Sequence, residues 1–172
     1  MPRPFTQGRK MKNLPKRKPI RLEGYDYSQN GCYFITICTK KRECLFGDVD
    51  DGKMRLNECG EIAELEILKI PDHYIGIEIR YFVVMPNHVH LIVEIGGDNA
   101  VGAGAASGAP THISIGNIVR GYKSGVSHSM GYSPWQRNYH DHIIRNDASY
   151  LRIAAYIDSN PICWREDRVY QQ

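Results

Sequence analysis

The alternation of hydrophobic and polar positions divides the first part of the chain into a strand, a turn with a short extra strand, and a helix. Cys32 to Thr39 is rich in aromatic and β-branched residues, which is typical of a strand. Gly47 to Gly52 is turn-like, and Lys53 to Leu56 is a candidate for a short extra strand. From Asn57 to about Lys69 the pattern is helical, and Pro71 is predicted to end the helix.

Two apolar runs follow and are predicted to pair as an antiparallel hairpin. They extend from Ile75 to Val84 and from His88 to Ile95, and Met85-Pro86-Asn87 joins them by a tight connection. A second helix is expected from Ser114 or Ile115 to about Met130. Trp135 to Ile144 is a candidate strand.

The end of the chain has the pattern of a last helix. Asn146 can serve as its N-cap, and the helix is expected to end near Asn160, before a proline. Leu151, Ala154 and Ala155 are expected to form its packing face. The order β-α-β-β-α-β plus a helix predicts an α+β fold: a ferredoxin-like split βαβ antiparallel sheet with helices on one face and a C-terminal helix.

The 172 residues fit one domain with an uneven distribution of charge. Residues 1–24 are expected to be a flexible basic tail, because eight basic and no acidic residues lie between Met1 and Leu22, Lys16, Arg17 and Lys18 among them. Such a block suits a polyanion such as nucleic acid, or serves only as a solubilising tail. Residues 25–172 are expected to fold, with a flexible Gly/Ala-rich loop at 96–110.

Composition argues against a membrane or secreted protein and against a fold held by disulfides or a structural zinc ion. No apolar run has the length of about 18 to 20 residues that a membrane span needs, and no secretory signal is evident, so a cytoplasmic location is expected. The five cysteines are odd in number and include no C-x-x-C pair. This pattern argues against a disulfide framework and against a structural zinc site.

His88 and His90 are the first candidates for chemistry. Side chains alternate along a strand, so both histidines are expected on one face, with Val89 on the other. Two imidazoles about 6 to 7 Å apart along a strand can converge on one divalent metal. Two histidines on a half-exposed strand are the simpler interpretation for an isolated pair of this kind.

Tyr156 and Asn160 are the second candidates. They are four residues apart on the predicted last helix and share one face, with Arg152 one turn earlier. A phenol is a weak nucleophile unless a cation or a base assists it, and an amide oxygen can complete the ligand set of an ion. A tyrosine buried in the helix packing is the alternative.

Taken together, these segments resemble a known family. Tyr81 to Val93, which contains both histidines, resembles the histidine–hydrophobic–histidine (HUH) motif of single-strand DNA transposases. Tyr156-Ile-Asp-Ser-Asn160-Pro161 is similar to the catalytic helix of the REP-associated tyrosine transposase branch. Gly31 to Ile37 and Trp135 to Asn146 are similar to that family as well, so the resemblance covers about Tyr25 to Trp164.

The resemblance implies cleavage of one DNA strand through a 5′-phosphotyrosine intermediate, with release of a 3′-hydroxyl, in DNA transposition. On that pattern Tyr156 is the nucleophile, His88 and His90 hold Mg²⁺ or Mn²⁺, and Asn160 is a third ligand. The expected partner is single-stranded DNA with hairpin (REP-like) ends, bound by a monomer or a homodimer. Insertion-sequence relatives usually have glutamine where this chain has Asn160, and the shorter asparagine agrees with the REP-associated branch.

Other residues are candidates for contacts with DNA or for competing roles. Tyr122 is a rival nucleophile, because Lys123 could lower its pKa, whereas Tyr150 is expected to pack. Trp135 could stack a base. The candidate DNA contacts outside the tail are Arg120, Lys123, Arg137, His142, Arg145 and Arg152.

Three alternative functions stay open at this point. The chain could be a DNA-binding regulator that has lost cleavage, although the presence of Tyr156, His88 and His90 argues against this. It could be a replication-initiator-type nicking enzyme, although those generally have another motif order and additional domains. A small-molecule metalloenzyme on the same fold would not need a basic tail.

Overall fold

The computed structural model describes residue 22, residues 24–97 and residues 113–166. In chain order the elements are β1 (Gly31–Cys38), β2 (Gly47–Asp50), β3 (Lys53–Leu56), α1 (Glu58–Leu68), α2 (Ile70–His73), β4 (Ile77–Met85), β5 (His88–Ile95), α3 (Ile115–Met130), β6 (His140–Ile144) and α4 (Asp147–Ser159). The tail candidates Lys16, Arg17 and Lys18, and most of the loop expected at 96–110, lie outside the described residues. No helix in the described part is long and apolar enough to span a membrane.

Four strands form an antiparallel sheet in the order β4-β5-β1-β6. β1 and β4, which flank α1 in the chain, are therefore parallel to each other and separated by β5. The same relation holds for β5 and β6, which flank α3, with β1 between them. This is the split βαβ arrangement, so the predicted ferredoxin-like α+β fold is confirmed.

The two faces of the sheet carry different layers. Tyr33, Ile35 and Ile37 of β1 alternate with residues of the other face and join the main core, which includes residues of α1 and α3. On the opposite face Ile92 of β5 packs with buried residues of α4. The last helix therefore covers the face of the sheet that α1 and α3 leave open.

Capping side chains explain where the three long helices begin. Asn57 Oδ1 accepts a hydrogen bond from the N–H of Gly60 at 3.0 Å before α1, and Asn146 Oδ1 accepts one from Ser149 at 2.8 Å before α4. Ser114 has the same position before α3. Each cap provides an acceptor for an N–H that has no partner within the helix.

Two local predictions need correction, and one is confirmed. Gly47 to Gly52 is not one turn: β2 pairs with β3, and the turn is confined to Asp51 and Gly52, whose φ angles are 49° and 69°. The helix predicted to end near Lys69 does so, because α1 ends at Leu68 with Lys69 as its C-cap; Pro71 lies in the first turn of the separate α2, where its missing N–H needs no partner. The strand expected from Trp135 begins only at His140, and Trp135 makes an isolated bridge to Thr39.

The packing face of α4 also differs from the prediction. Leu151 is 67% exposed and Ala155 is exposed, whereas Ile153, Ala154 and Ile157 are buried against the sheet. The buried stripe is thus rotated around the helix relative to the predicted one. This rotation leaves Tyr156 at the edge of the interface, 41% exposed.

Candidate functional site

His88 and His90 lie side by side beneath α4. Both belong to β5, both are buried, with 0% and 2% exposure, and their ring centroids are 4.4 Å apart. Val89 points to the main core on the other face, as strand alternation predicts. Both imidazoles therefore lie next to each other between the sheet and the last helix.

Each imidazole has a hydrogen-bond partner at its Nδ1 atom. His90 Nδ1 is 2.8 Å from Thr36 Oγ1, across the pairing of β5 with β1. His88 Nδ1 is 2.8 Å from Oδ1 of its neighbour Asn87. The two rings are thus held through the same atom and offer the Nε2 side to their surroundings.

Tyr156 is adjacent to this pair. Its hydroxyl oxygen is 3.3 Å from Nε2 of His90, and the two ring centroids are 5.2 Å apart. Phe34 packs against both rings, at 5.1 Å from His90 and 6.2 Å edge-on from Tyr156. The structure therefore brings together the predicted histidine strand and the predicted tyrosine helix.

Two buried residues, Asn160 and Trp164, follow Tyr156 in the chain. Asn160 is the C-cap of α4, one turn beyond Tyr156, and is only 1% exposed. Trp164 stacks on His88 with ring centroids 5.9 Å apart and planes tilted by 28°. Sequence reasoning missed Trp164, because a single tryptophan after the helix carries no periodic or motif signal.

Burial controls the charge of His90. Removal from water lowers its pKa well below 6.5, and the nearby His88 lowers it further. The ring is therefore neutral at pH 7, which is the form that offers a nitrogen lone pair to a metal or to a hydroxyl.

This burial predicts a pH dependence of stability. Below about pH 6.5 the unfolded chain protonates the His90 imidazole while the folded chain does not, so the free energy of unfolding falls as the pH falls. We expect denaturant unfolding to show a loss of up to about 1.4 kcal/mol per pH unit from this one proton. His90→Gln is expected to flatten the decline between pH 7 and pH 5, and the exposed His140→Gln is not. An equal slope in wild type and His90→Gln would contradict this assignment.

Two imidazoles and one amide are the candidate donors for a metal ion at this site. Among the described residues, no three His, Cys, Asp or Glu side chains lie close enough to form a metal cluster. The candidate set instead combines two imidazoles with the amide of Asn160, whose Oδ1 is buried, as is Nε2 of His88. Two imidazoles and one amide oxygen are compatible with Mn²⁺ or Mg²⁺. Each of the five cysteines is free.

Comparison with known proteins places the chain in a family and a fold. No family model matches the sequence. An uncharacterized protein of Haemophilus influenzae is 42% identical over 167 residues, which cover 90% of this chain and 93% of that protein. The chain belongs to the family of this Haemophilus protein.

A solved structure shows the fold of this chain. It is described as the REP-associated tyrosine transposase bound to a REP hairpin, and it matches 83% of this chain and 73% of its own with a TM-score of 0.59. The sequence identity is 22%, so the likeness is one of fold. The chain has the REP-associated tyrosine transposase fold.

Within this transposase fold the rival tyrosines have other positions. Tyr122 lies in the main core on the opposite face of the sheet and donates a hydrogen bond to the carbonyl of Ala63. Burial and Glu66 raise its pKa well above 10, so the suggestion that Lys123 lowers this pKa is wrong. Tyr150 packs edge-on against Tyr81 at 6.1 Å.

Two residues that were candidates for contact with DNA, Lys123 and Trp135, make contacts within the protein instead. Lys123 Nζ donates to the carbonyls of Gln136, Arg137 and Asn138 at 2.8, 3.5 and 3.0 Å, and burial lowers its pKa to about 8. It holds the loop before β6, which contradicts the predicted role as a phosphate contact. Trp135 is 3% exposed and packs on Phe46, so it is not available to stack a base.

Arg120 and Arg137 are exposed and lie on other segments of the chain than His88, His90 and Tyr156. Arg120 lies on α3, where its charge acts on Tyr74 beside α2. Arg137 lies in the loop before β6.

A second group of predicted residues lines a cleft at the start of α4. Arg145, Arg152 and His142 border an open cleft of about 670 Å³ between β6 and the first turns of this helix. Asp141, Asn146 and Ser149 add further polar groups, and Leu22 lies at its rim. Arg152 is four residues before Tyr156, so the cleft and the site follow each other along one helix.

Proposed function

We propose that this chain is a metal-dependent endonuclease and strand transferase that acts on single-stranded, hairpin-flanked DNA in transposition, through Tyr156. The observation that carries the proposal is the contact between the Tyr156 hydroxyl and Nε2 of His90, at 3.3 Å, beside the buried His88. The transposase fold supports it. A tyrosine that serves only for packing would not need a side chain that is 41% exposed beside two buried imidazoles.

His88, His90 and Asn160 would hold the divalent ion, Mg²⁺ or Mn²⁺. When bound, such an ion polarises the scissile phosphate and stabilises the charge that develops on its oxygens. The chain itself keeps the His90 imidazole neutral by burial, packs Phe34 against His90 and Trp164 against His88, and presents the phenol from α4.

The reaction proposed for Tyr156 is an exchange of phosphodiester partners. The phenol oxygen forms a bond to phosphorus, the bond from phosphorus to the 3′-oxygen breaks, and the leaving strand ends in a 3′-hydroxyl. The 5′-phosphate stays on the tyrosine, so a later attack by a 3′-hydroxyl reverses the step without an added energy source. The phenol proton leaves to solvent or a base, and the same number of ester bonds is present before and after.

Both halves of the site come from one chain. His90 lies on β5 and Tyr156 on α4 of the same molecule, and their contact needs no second copy. Of the monomer and the homodimer expected from the sequence, the monomer with cleavage in cis is therefore the form we propose.

Arg145 and Arg152 are proposed to bind the DNA backbone in the cleft. Guanidinium groups bind phosphate oxygens through paired N–H donors. The eight basic residues between Met1 and Leu22 immediately precede the residue at the cleft rim in the sequence, so they would add affinity of the same electrostatic kind.

Removal of the two cleft arginines is expected to weaken DNA binding and to make that binding less dependent on salt. Arg145→Gln with Arg152→Gln is expected to weaken binding of single-stranded DNA and to reduce the slope of log K against log salt by about 1.4, since each phosphate contact contributes about 0.7. Fluorescence anisotropy over a salt series measures both quantities. The matched double variant Arg120→Gln with Arg137→Gln should keep the wild-type slope. If the two double variants behave alike, the cleft is not the DNA site.

The direct test of the function is a covalent adduct. The full chain is incubated with Mn²⁺ and single-stranded DNA that carries a hairpin and distinguishable labels at its two ends, and the products are separated under denaturing conditions. The 3′-end label is expected in a protein band, and the 5′-end label in a shortened free strand that ends in a 3′-hydroxyl. Tight DNA binding without adduct on a set of different hairpins would contradict cleavage and support the DNA-binding regulator.

A further inference from the structure

Asn87 connects the histidine pair to the loop that follows β1. It is 3% exposed and occupies the two-residue connection between β4 and β5. Its Nδ2 donates to the carbonyl oxygen of Arg42 at 3.3 Å, and its Oδ1 lies 2.8 Å from Nδ1 of His88. One amide thus contacts a backbone carbonyl at one end and a candidate metal ligand at the other.

The chemistry of these contacts leaves a single proton arrangement. A carbonyl oxygen only accepts hydrogen bonds, so the nitrogen of the Asn87 amide must face Arg42. Its oxygen then faces His88, and because an amide oxygen also only accepts, Nδ1 of His88 must carry the hydrogen. A neutral imidazole with its hydrogen on Nδ1 has its lone pair on Nε2.

The main chain holds Asn87 in this position. Its carbonyl accepts from both the N–H and the hydroxyl of Thr39, at 2.9 and 3.0 Å. The carbonyl of the preceding Pro86 accepts from the N–H groups of Leu45 and Phe46, at 2.8 and 3.1 Å. The connection is therefore fixed by the same loop that supplies the Arg42 carbonyl.

His90 does not have an equivalent constraint. Its Nδ1 partner is the hydroxyl of Thr36, which can donate or accept. Its Nε2 partner, the hydroxyl of Tyr156, has the same freedom. The His90 ring can therefore change its tautomer with its surroundings, whereas the His88 ring cannot.

We propose that Asn87 is a positioning residue that locks His88 in the Nδ1–H tautomer, so that its Nε2 lone pair is offered to a divalent cation. The tautomer stands on the contacts above, and its use for a cation rests on the proposed function. Partners of this kind fix the ring orientation of metal-binding histidines, and their loss typically lowers metal affinity about 10- to 100-fold.

The tautomer is measured in the metal-free protein by ¹⁵N-resolved NMR of the histidine rings. Wild type is expected to show His88 as Nδ1–H. Asn87→Ala is expected to shift it toward a mixture or toward Nε2–H. Asn87→Asp keeps an acceptor oxygen and should retain Nδ1–H, although it loses the donor to Arg42. Dispersed backbone spectra show whether each variant is folded. If Asn87→Ala does not fold, the His88 tautomer in wild type and in Asn87→Asp tests the proposal.

Binding of Mn²⁺ is then titrated without DNA. We expect Asn87→Ala to bind about 10- to 100-fold more weakly than wild type, and Asn87→Asp to bind no more weakly than wild type. Nε2–H in wild type, or an alanine variant that keeps both the tautomer and the affinity, would overturn the proposal. If the tautomer is as stated but wild type binds no Mn²⁺, the metal-dependent function fails and the tautomer assignment stands.

Discussion

Tyr156→Phe is expected to abolish the covalent adduct with single-stranded DNA and to reduce cleavage by at least about 10³-fold. The change removes one oxygen atom, and that oxygen is the group proposed to bond to phosphorus. The ring remains, so its packing against Phe34 and His90 should be kept. Because the side chain is 41% exposed, the free energy of unfolding should change little. Denaturing gels for the adduct and anisotropy for DNA binding measure the two effects separately.

Two matched tyrosine variants show whether the effect is specific. Tyr150→Phe removes a hydroxyl on the same helix and should leave the adduct yield near wild type. Tyr122→Phe removes a buried hydroxyl that donates to Ala63, so it should lower stability by about 1 kcal/mol while cleavage persists. An adduct that survives in Tyr156→Phe and disappears in either of the other variants would place the nucleophile elsewhere.

The parts of the fold that local signals determine were predictable from the sequence. The hairpin β4–β5 follows from two apolar runs around Pro86 and Asn87, and the starts of α1 and α4 follow from their asparagine caps. β2 was not recognised, because Asp48 and Asp50 give it the composition of a turn although it pairs with β3. Pairing with a partner strand decides such a segment more than its own residues do.

The candidate site likewise has residues that local sequence patterns predict and residues that only the tertiary structure places there. Alternation along β5 was enough to place His88 and His90 on one face, and a spacing of four was enough to put Tyr156 and Asn160 on one side of α4. The contacts of Thr36 and Trp164 were not predictable, because these residues reach the histidines only through strand pairing and a chain reversal.

Lys123 shows the opposite error. A lysine next to exposed arginines has the appearance of a phosphate contact, but its three nearest acceptors are backbone carbonyls of an irregular loop. The conformation of that loop is set by tertiary packing, such as the bridge of Trp135 with Thr39. Charge patterning alone therefore does not distinguish a binding lysine from a structural one.

The two histidine pairs of the chain provide the sharpest test of metal dependence. His88 and His90 are buried side by side beneath α4, whereas His140 and His142 have the same spacing on an exposed edge strand. His88→Gln with His90→Gln is expected to lose Mn²⁺ binding and to reduce cleavage at least about 100-fold, since metal stabilisation of phosphate charge contributes several kcal/mol. His140→Gln with His142→Gln should keep Mn²⁺ binding.

The outcome distinguishes a metal site from a merely basic surface, because both double variants remove the same two side chains at the same spacing. Calorimetric titration with Mn²⁺ reports binding directly, and the adduct assay with and without chelator reports its use. Glutamine retains polar atoms for Thr36 and Asn87, so thermal unfolding at pH 7 should show that each variant is folded. If the exposed pair proves to be the one whose loss removes Mn²⁺ binding, the assignment of the ligands to β5 is wrong. In that case the buried His88 and His90 would serve only to pack β5 against α4.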